Sequence, residues 1–573
     1  MLSPVRPRMP RSRVSAWALL LIGSAFPLCA RADDLKPGTG PASEAAYRPT
    51  STFADSTWKD SDALPIMQPP DWEPNLWGYY VRECIVGPVE HAFDIPDKLL
   101  MVARIFGAHT QREAVDVNAF DEVPNSTWFT NRNHVRAVPV SSMALGSDST
   151  RLPTKPWTVT HPKHGGQSAG FQIKDADGRK WLVKLDPRGY PQLSSGADMV
   201  ARTLFRAAGY NAPHNEPVRF RRSDLTIDPK LLRGTKGEQF TEANLDTLLT
   251  RGAVFEDGSY SAMGSLFLSG HALGSPSSRR KRPGDVNDWY SHMKRRELRG
   301  LYVLSSWLGF WDSKDANLLD TFVATRDSLG HVEHYLLDVG SSLGAQADGP
   351  KALWQGYERF LDLGWIGRRT ATLGFVVEPW RRAHQETGIP SVGNFESDVY
   401  EPGKFTEWDN PAFREMTDRD GYWGAKIVAS FSNGQIAAAV DAAHYDDPRA
   451  REYLVRNLIE RRDKVARHWF GRVAPLDFFA AEDGALRFHD LAVDIGLAHA
   501  REYDVEVESE GGHAPAHAHL HINRTQLPLL DLGTDRSRVS LDLAIAGDRA
   551  RPAHVELVRR NSTWVVSRVR HGG

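Results

Sequence analysis

The clearest alternation of apolar and polar positions lies between residues 165 and 209. A small-residue run, Gly165-Gly166-Gln167-Ser168-Ala169-Gly170, leads into Phe171-Gln172-Ile173. Asp175-Ala176-Asp177-Gly178 then separates that segment from Trp181-Leu182-Val183-Lys184-Leu185. Two alternating runs around an Asp/Gly turn predict a β-hairpin. From about Ser195 the period changes. Ala197, Val200, Ala201, Leu204, Phe205 and Ala208 fall on one helical face, and Gly209 ends the helix. Val218-Arg219-Phe220 reads as a further short strand.

The second patterned region starts at Lys294. Leu298, Leu301, Leu304 and Leu308 share one face of a helix running to Phe310. The polar run Asp312-Ser313-Lys314-Asp315-Ala316-Asn317 is a loop. Two strands follow, near 319–324 and 332–338, joined at Asp327-Ser328-Leu329-Gly330. Residues 350–475 read as mainly helical. Their last helix has Asp447 as N-cap, Pro448 in the first turn, and Leu454, Leu458, Val465 and Trp469 facing the core. Residues 498–573 alternate again, as in Val539-Ser540-Leu541-Asp542-Leu543. They close with a hairpin from His554 to Val569, turning at Asn561-Ser562. No repeat of solenoid length is present.

The N-terminus has a different order. Arg6, Arg8, Arg11 and Arg13 precede an apolar stretch from Val14 to Leu28, which ends in Ala30-Arg31-Ala32. A basic start, a short apolar run and a small-x-small site predict a signal peptide over 1–32, the alternative being an uncleaved anchor. The expected location is the periplasm or the extracellular space, with no stable transmembrane span after cleavage. Residues 33–70, rich in Pro, Ser, Asp and Thr, are expected to be a flexible lead-in. In the 71–150 extension, Asn118 to Phe129 reads as turn chemistry ahead of an aromatic anchor.

Composition adds constraints. The 573 residues are 41% hydrophobic and 25% charged, ordinary for a globular chain. The net charge of -2 gives no sign of a nucleic-acid partner. The run Arg279-Arg280-Lys281-Arg282 reads as a solvated loop. Of the two cysteines, Cys29 leaves with the leader, so Cys84 has no intrachain partner and the mature fold must rest on its core. The 17 tryptophans suit a large aromatic core.

Four pieces follow one another: a small-residue loop before a hairpin, a strand lysine, a helix acid, and Asp-x-Lys-x-x-Asn followed by Asp-x-Gly. That is the order of parts in a protein-kinase-type phosphotransferase. Phosphoryl transfer needs a triphosphate held and its charge neutralised. Backbone N–H groups around Gly166 and Gly170 would cover the phosphates. Lys184 would reach them as a point charge, and Asp198 would orient Lys184. Asp312 would take the proton of the attacking hydroxyl, with Lys314 near the transferring phosphate. Asn317 and Asp338 would hold Mg²⁺ or Mn²⁺, hard ions that take oxygen ligands. Gly340 allows the sharp turn after the metal aspartate.

The chain resembles a family of exported bacterial proteins with an atypical kinase-like domain. It is more distantly similar to HipA-type, phosphoinositide-kinase-like and secretory-pathway kinases. The resemblance is carried by Asn118 to Phe129, Gly196-Ala197-Asp198 with Gly209 to Pro213, and Arg295 to Gly300. Further matches are Asp312 to Asp320, His334 to Gly344, Met416 to Asp420, and Glu460 to Lys464. It implies kinase roles for Lys184, Asp312, Asn317 and Asp338, with Asp198 as a fifth. The departures are an Asp for the usual helix Glu, Val339 at the centre of Asp-x-Gly, no His-Arg before Asp312, and no G-x-G-x-x-G spacing. They fit an atypical kinase or a pseudokinase.

The expected fold class is therefore α+β: a bilobal protein-kinase-like domain with an N-terminal extension and a small C-terminal all-β domain. The segments are an N-lobe at 151–225, a mainly helical C-lobe at 226–480 and a β domain at 490–573. The expected activity moves the ATP γ-phosphoryl, with Mg²⁺ or Mn²⁺, to a hydroxyl acceptor. Outside the cytoplasm such a site must find its donor where ATP is scarce, which gives weight to a pseudokinase that binds a cell-envelope partner. A third reading rests on His513, His517, His519 and His521. The last three share one face if on a strand and so offer Zn²⁺ or Cu²⁺ ligands, whereas the Gly and Pro around them read as a solvated loop. Glu297 and Arg299 are either a buried ion pair that positions the catalytic loop or part of a solvated helix face. His334 reads as structural. No G-x-S-x-G motif or Cys/His pair supports a hydrolase.

Overall fold

The computed structural model describes residues 62–72, 112–144 and 152–572, apart from 164, 234–238, 327, 353, 359–362, 383–386, 407–409, 511–515 and 530–536. The expected leader at 1–32, Cys84, His513 and much of the 33–70 and 71–150 segments lie outside the described residues. The fold is mixed α+β. Part of the expected lead-in is built into it: strand β1 (Ile66–Met67) pairs with Leu329 and Gly330, and Asp62 accepts hydrogen bonds from Thr127.

A six-stranded sheet contains the predicted hairpin. Its strands are β2 (Trp157–Pro162), β3 (Gly170–Lys174), β4 (Lys180–Leu185), β5 (Asn215–Phe220), β6 (Leu225–Ile227) and β7 (Tyr260–Leu266), in the order β5-β7-β4-β3-β2-β6. The expected boundary at 225 thus falls short, because β7 is a central strand of this sheet. Alternation along β4 sets the functional geometry. Trp181, Val183 and Leu185 enter an apolar layer with Trp157, Phe171 and Phe220. Lys184 takes the opposite face, beside Met263 of β7. Against that face packs helix α1 (Leu193–Ala208), whose predicted apolar stripe is fully buried. Its start is held by Asp186 at the end of β4. There Oδ1 accepts the Ser194 and Ser195 N–H groups at 2.8 Å, and Oδ2 accepts the Ser195 and Ser261 hydroxyls.

A second sheet, in the order β1-β10-β9-β8, holds β8 (His271–Gly274), β9 (Leu318–Arg326) and β10 (Leu329–Leu336). Behind it lie α2 (Arg296–Leu308), α3 (Asp418–Ala429), α4 (Asn433–Asp441) and α5 (Pro448–Phe470), which share one apolar core with α1. Asp447 caps α5 through the Arg449 N–H. Helices α2 and α3 approach closely at Gly300, where a Cβ would stand 2.6 Å from the Trp423 ring. The basic run at 279–282 is only partly solvated. Arg280 and Lys281 are exposed, but Arg282 is buried on Asp320 at 2.7 Å. His334 also contacts Asp320 and stacks on Trp128.

After a short pair, β11 (Ala345–Gln346) with β12 (Gly349–Pro350), the β-rich tail begins at 476, earlier than expected. Strands β13 (Leu476–Glu482), β14 (Ala485–Asp490) and β17 (Gln526–Pro528) form one sheet. A five-stranded sheet runs β16-β15-β18-β19-β20, with β15 (Tyr503–Glu510), β16 (Ala516–Ile522), β18 (Arg538–Ile545), β19 (Ala553–Arg560) and β20 (Thr563–His571). The final hairpin turns at Asn561 and Ser562, both with positive φ.

A buried ion network joins these parts. Arg296 pairs with Asp121 (2.7 Å) and Asp420 (3.0 Å), and Arg299 pairs with Asp420 (3.1 Å). Lys426 pairs with Glu122 and, at 2.8 Å, with Asp477. Glu297 and Arg299 are both fully buried, so the solvated-face alternative does not hold. They do not pair with each other, since Glu297 meets Arg295 at 3.2 Å.

His571, on the last strand, lies 3.1 Å from Asp121 and 3.6 Å from Asp477. Burial opposes its charge, but the two carboxylates push its imidazole up to about 9. A folded-state value above the unfolded one means stability that is whole below pH 6.5 and lost as pH rises through about 9. Urea unfolding should therefore lose on the order of 2–3 kcal/mol between pH 6.5 and 9.5. A His571→Gln variant should flatten that slope; an equal slope in the variant would remove His571 as its cause.

Candidate functional site

Three elements converge beside the six-stranded sheet. From β4, Lys184 Nζ reaches Asp338 Oδ1 at 2.9 Å. Asp338 follows the hairpin of β9 and β10, whose register sets Leu318 opposite Leu336. The Leu337 N–H donates to the Asn317 carbonyl at 2.8 Å. One hairpin thus places Asn317 at its entry and Asp338 at its exit. Asp338 adopts φ 51°, ψ 45°, a left-handed conformation that Asp tolerates better than most residues. The following turn lies against α1, where a Cβ at Gly340 would stand 3.2 Å from the Ser194 carbonyl.

The polar loop before β9 is fixed from within. Asn317 Nδ2 donates to the Asp312 carbonyl (2.6 Å) and to Asp312 Oδ2 (3.0 Å). Lys314 Nζ lies 2.8 Å from Asp312 Oδ1. Ser278 holds Asp315, and Asn410 donates to the Ser313 carbonyl. Burial raises the Asp312 carboxyl above its usual range, against Lys314 and Asn317, and the Asp338 charge adds to the rise. Desolvation in the cleft also works to raise Asp338. Lys184 beside it, with Lys163 and Lys314 further off, nevertheless holds that carboxyl below its usual range. Burial works against the Lys184 charge, but Asp338 and then Asp198 keep its ammonium above its ordinary value.

Asp198 does not do what the spacing predicted. Among the described residues, no ion pair within 4 Å joins it to Lys184. It accepts a hydrogen bond from Asn215 at 2.7 Å. Asp is one methylene shorter than Glu, and Lys184 is drawn to Asp338. Burial pushes Asp198 up to about 6, opposed by Lys184 and the Asn215 amide.

The small-residue loop lies over the lysine. Gly170 pairs with Lys184 across the hairpin, and a Cβ at Gly170 would stand 2.4 Å from the Val183 carbonyl. Gly166 takes φ 70°. A residue absent from the sequence reading also belongs here. Lys163 Nζ donates to the Ser168 carbonyl and hydroxyl, both at 3.0 Å. Burial lowers its ammonium, as does the Lys184 charge, while Asp338 raises it. Its place just before the loop was the available signal. Asp186, two residues after Lys184, was likewise missed.

Asn317 spends its amide N–H on Asp312, so its Oδ1 and the half-exposed Asp338 carboxylate are the oxygen donors a hard cation would take. Of the two alternatives for the histidine run, the strand holds and the loop does not: His517, His519 and His521 lie on edge strand β16. His519 and His521 both turn to Asp504, at 3.5 and 3.0 Å, and His521 also meets Glu502. Among the described residues, no group of three His, Cys, Asp or Glu side chains is arranged to hold a metal ion. No helix among them is long and apolar enough to cross a membrane.

No protein-family model and no curated protein matches the chain. Among solved structures, the chain is similar to the crystal structure of the Golgi casein kinase, with 12% identity and a TM-score of 0.30. That match covers 58% of this chain and 78% of the other.

Proposed function

We propose that this cleft is a metal–nucleotide site and that the protein is an exported, atypical kinase-like phosphotransferase. The observation that carries the reading is the 2.9 Å contact between Lys184 and Asp338, residues 154 positions apart, beneath a glycine-bearing hairpin loop and beside the Asp312–Lys314–Asn317 cluster. Phosphoryl transfer is mainly positioning and charge stabilisation, so the chain's task is to hold charges in place. Lys184 and Lys163 neutralise phosphate oxygens from the sheet side. Asp338 and Asn317 Oδ1 hold Mg²⁺ or Mn²⁺, which neutralises charge on the transferred group. Asp312 accepts the proton of the attacking hydroxyl, and its raised carboxyl makes it a better acceptor. Lys314 keeps Asp312 oriented.

The test is transfer of labelled γ-phosphate from ATP in the presence of Mn²⁺ or Mg²⁺. Turnover is expected with metal, and its loss with chelator or in a Lys184→Met variant. Absence of turnover under every metal and nucleotide would replace the enzyme with a binding module built on the same fold.

A further inference from the structure

Away from that cleft, the loop through Asn118 and the outer face of β18, β19 and β20 border a half-open cavity of about 630 Å³. That is within the range of small-ligand sites. Five arginines line it, against the acids Glu113, Asp121 and Glu556. Three of the arginines are engaged: Arg419 by Glu113 and Asp121, Arg570 by Glu113 at 3.4 Å, and Arg568 by Glu556 at a loose 3.8 Å. Among the described residues, Arg538 and Arg560 meet no carboxylate within 4 Å. Arg538 lies opposite Val558, so Arg560, two residues on and on the same face, is its diagonal neighbour. Glu510 stands opposite Arg538 on β15, and Glu556, on its other diagonal, is engaged by Arg568, so an anion between the two arginines would add to the counter-charge already near them.

Asn118 and Arg419 line the cavity, and each is more than nine-tenths buried. Among the described residues, Asn118 Nδ2 and Arg419 Nε meet no acceptor, but both atoms are sealed behind the cavity wall. Guanidinium groups match the planar oxygens of phosphate and carboxylate.

We propose that this cavity binds a multidentate anion of about trisaccharide size or smaller, bearing several phosphate or carboxylate groups, bridged between Arg538 and Arg560. The proposal is independent of the nucleotide cleft. It is tested by calorimetric titration of the full chain with tripolyphosphate and with trigalacturonate, in the wild type and in Arg538→Gln/Arg560→Gln. Both arginines are exposed on strand surfaces, so the double variant should melt within a few degrees of the wild type. Binding of at least one probe with Kd below about 1 mM, weakened about tenfold or more in the variant, is expected. Which probe binds more tightly distinguishes a phosphate-bearing from a carboxylate-bearing ligand. Failure of both to bind below about 1 mM, or equal affinity in the variant, overturns the proposal.

Discussion

Asp420→Ala is expected to destabilise the fold by about 3–5 kcal/mol, the usual cost of stranding buried charge. Asp420 is fully buried and receives Arg296 on one oxygen and Arg299 on the other. Neither arginine has solvent to turn to. The same carboxylate closes the capping box of α3, accepting the Thr417 N–H at 3.0 Å and its hydroxyl at 2.9 Å. The substitution therefore removes a cap as well as a counter-charge. Urea unfolding of the two chains measures the difference. Asp420→Asn retains an acceptor for Thr417 and should fall between them. A loss below about 1 kcal/mol for the alanine variant would mean that the arginines find other partners, and the network would not be what holds α2 to α3.

Asp312→Asn is expected to lower turnover by about 10²–10⁴-fold, with nucleotide affinity nearly unchanged. Under the proposed function Asp312 touches the acceptor hydroxyl, whereas Lys184, Asp338 and Asn317 hold the nucleotide and its metal. The amide keeps an oxygen for Asn317 Nδ2, so the loop should survive. The separation of kcat from nucleotide KM is the informative readout. A loss confined to KM would move Asp312 from proton acceptor to nucleotide ligand. The pH profile should shift as well, because in the wild type the rising limb is expected to follow the raised Asp312 carboxyl.

Local features were legible in the sequence, because their causes are local. The hairpin of β3 and β4, the α1 stripe, the Asp447 cap and the turn at Asn561-Ser562 all appear where pattern and turn chemistry put them. Strand β7 escaped detection because Ser261, Ala262, Met263 and Gly264 are all buried and show no alternation. Central strands covered on both faces carry no period-two signal. The Gly and Pro residues beside β16 weigh toward a loop over the alternating strand, although it pairs along β15 from His517 to His521. The candidate site divides in the same way. Asp312, Lys314 and Asn317 cluster through short-range contacts. By contrast, the choice of Lys184 between Asp198 and Asp338 depends on how the Asp338 turn lies against α1, which no spacing reveals. The ion network, joining residues 121, 296, 420, 477 and 571, is equally non-local.

The proposed function requires that Lys184 and Asp338 form one metal–nucleotide site, and thermal melting of the wild type and of Asp338→Ala, each with and without Mn²⁺-ATP, decides whether they do. At a ligand concentration a hundredfold above Kd, the wild type should gain about 2.7 kcal/mol of stability, a rise of about 2–3 degrees, and the variant none. An equal rise in both chains, or no rise in the wild type with any nucleotide and metal, would contradict it.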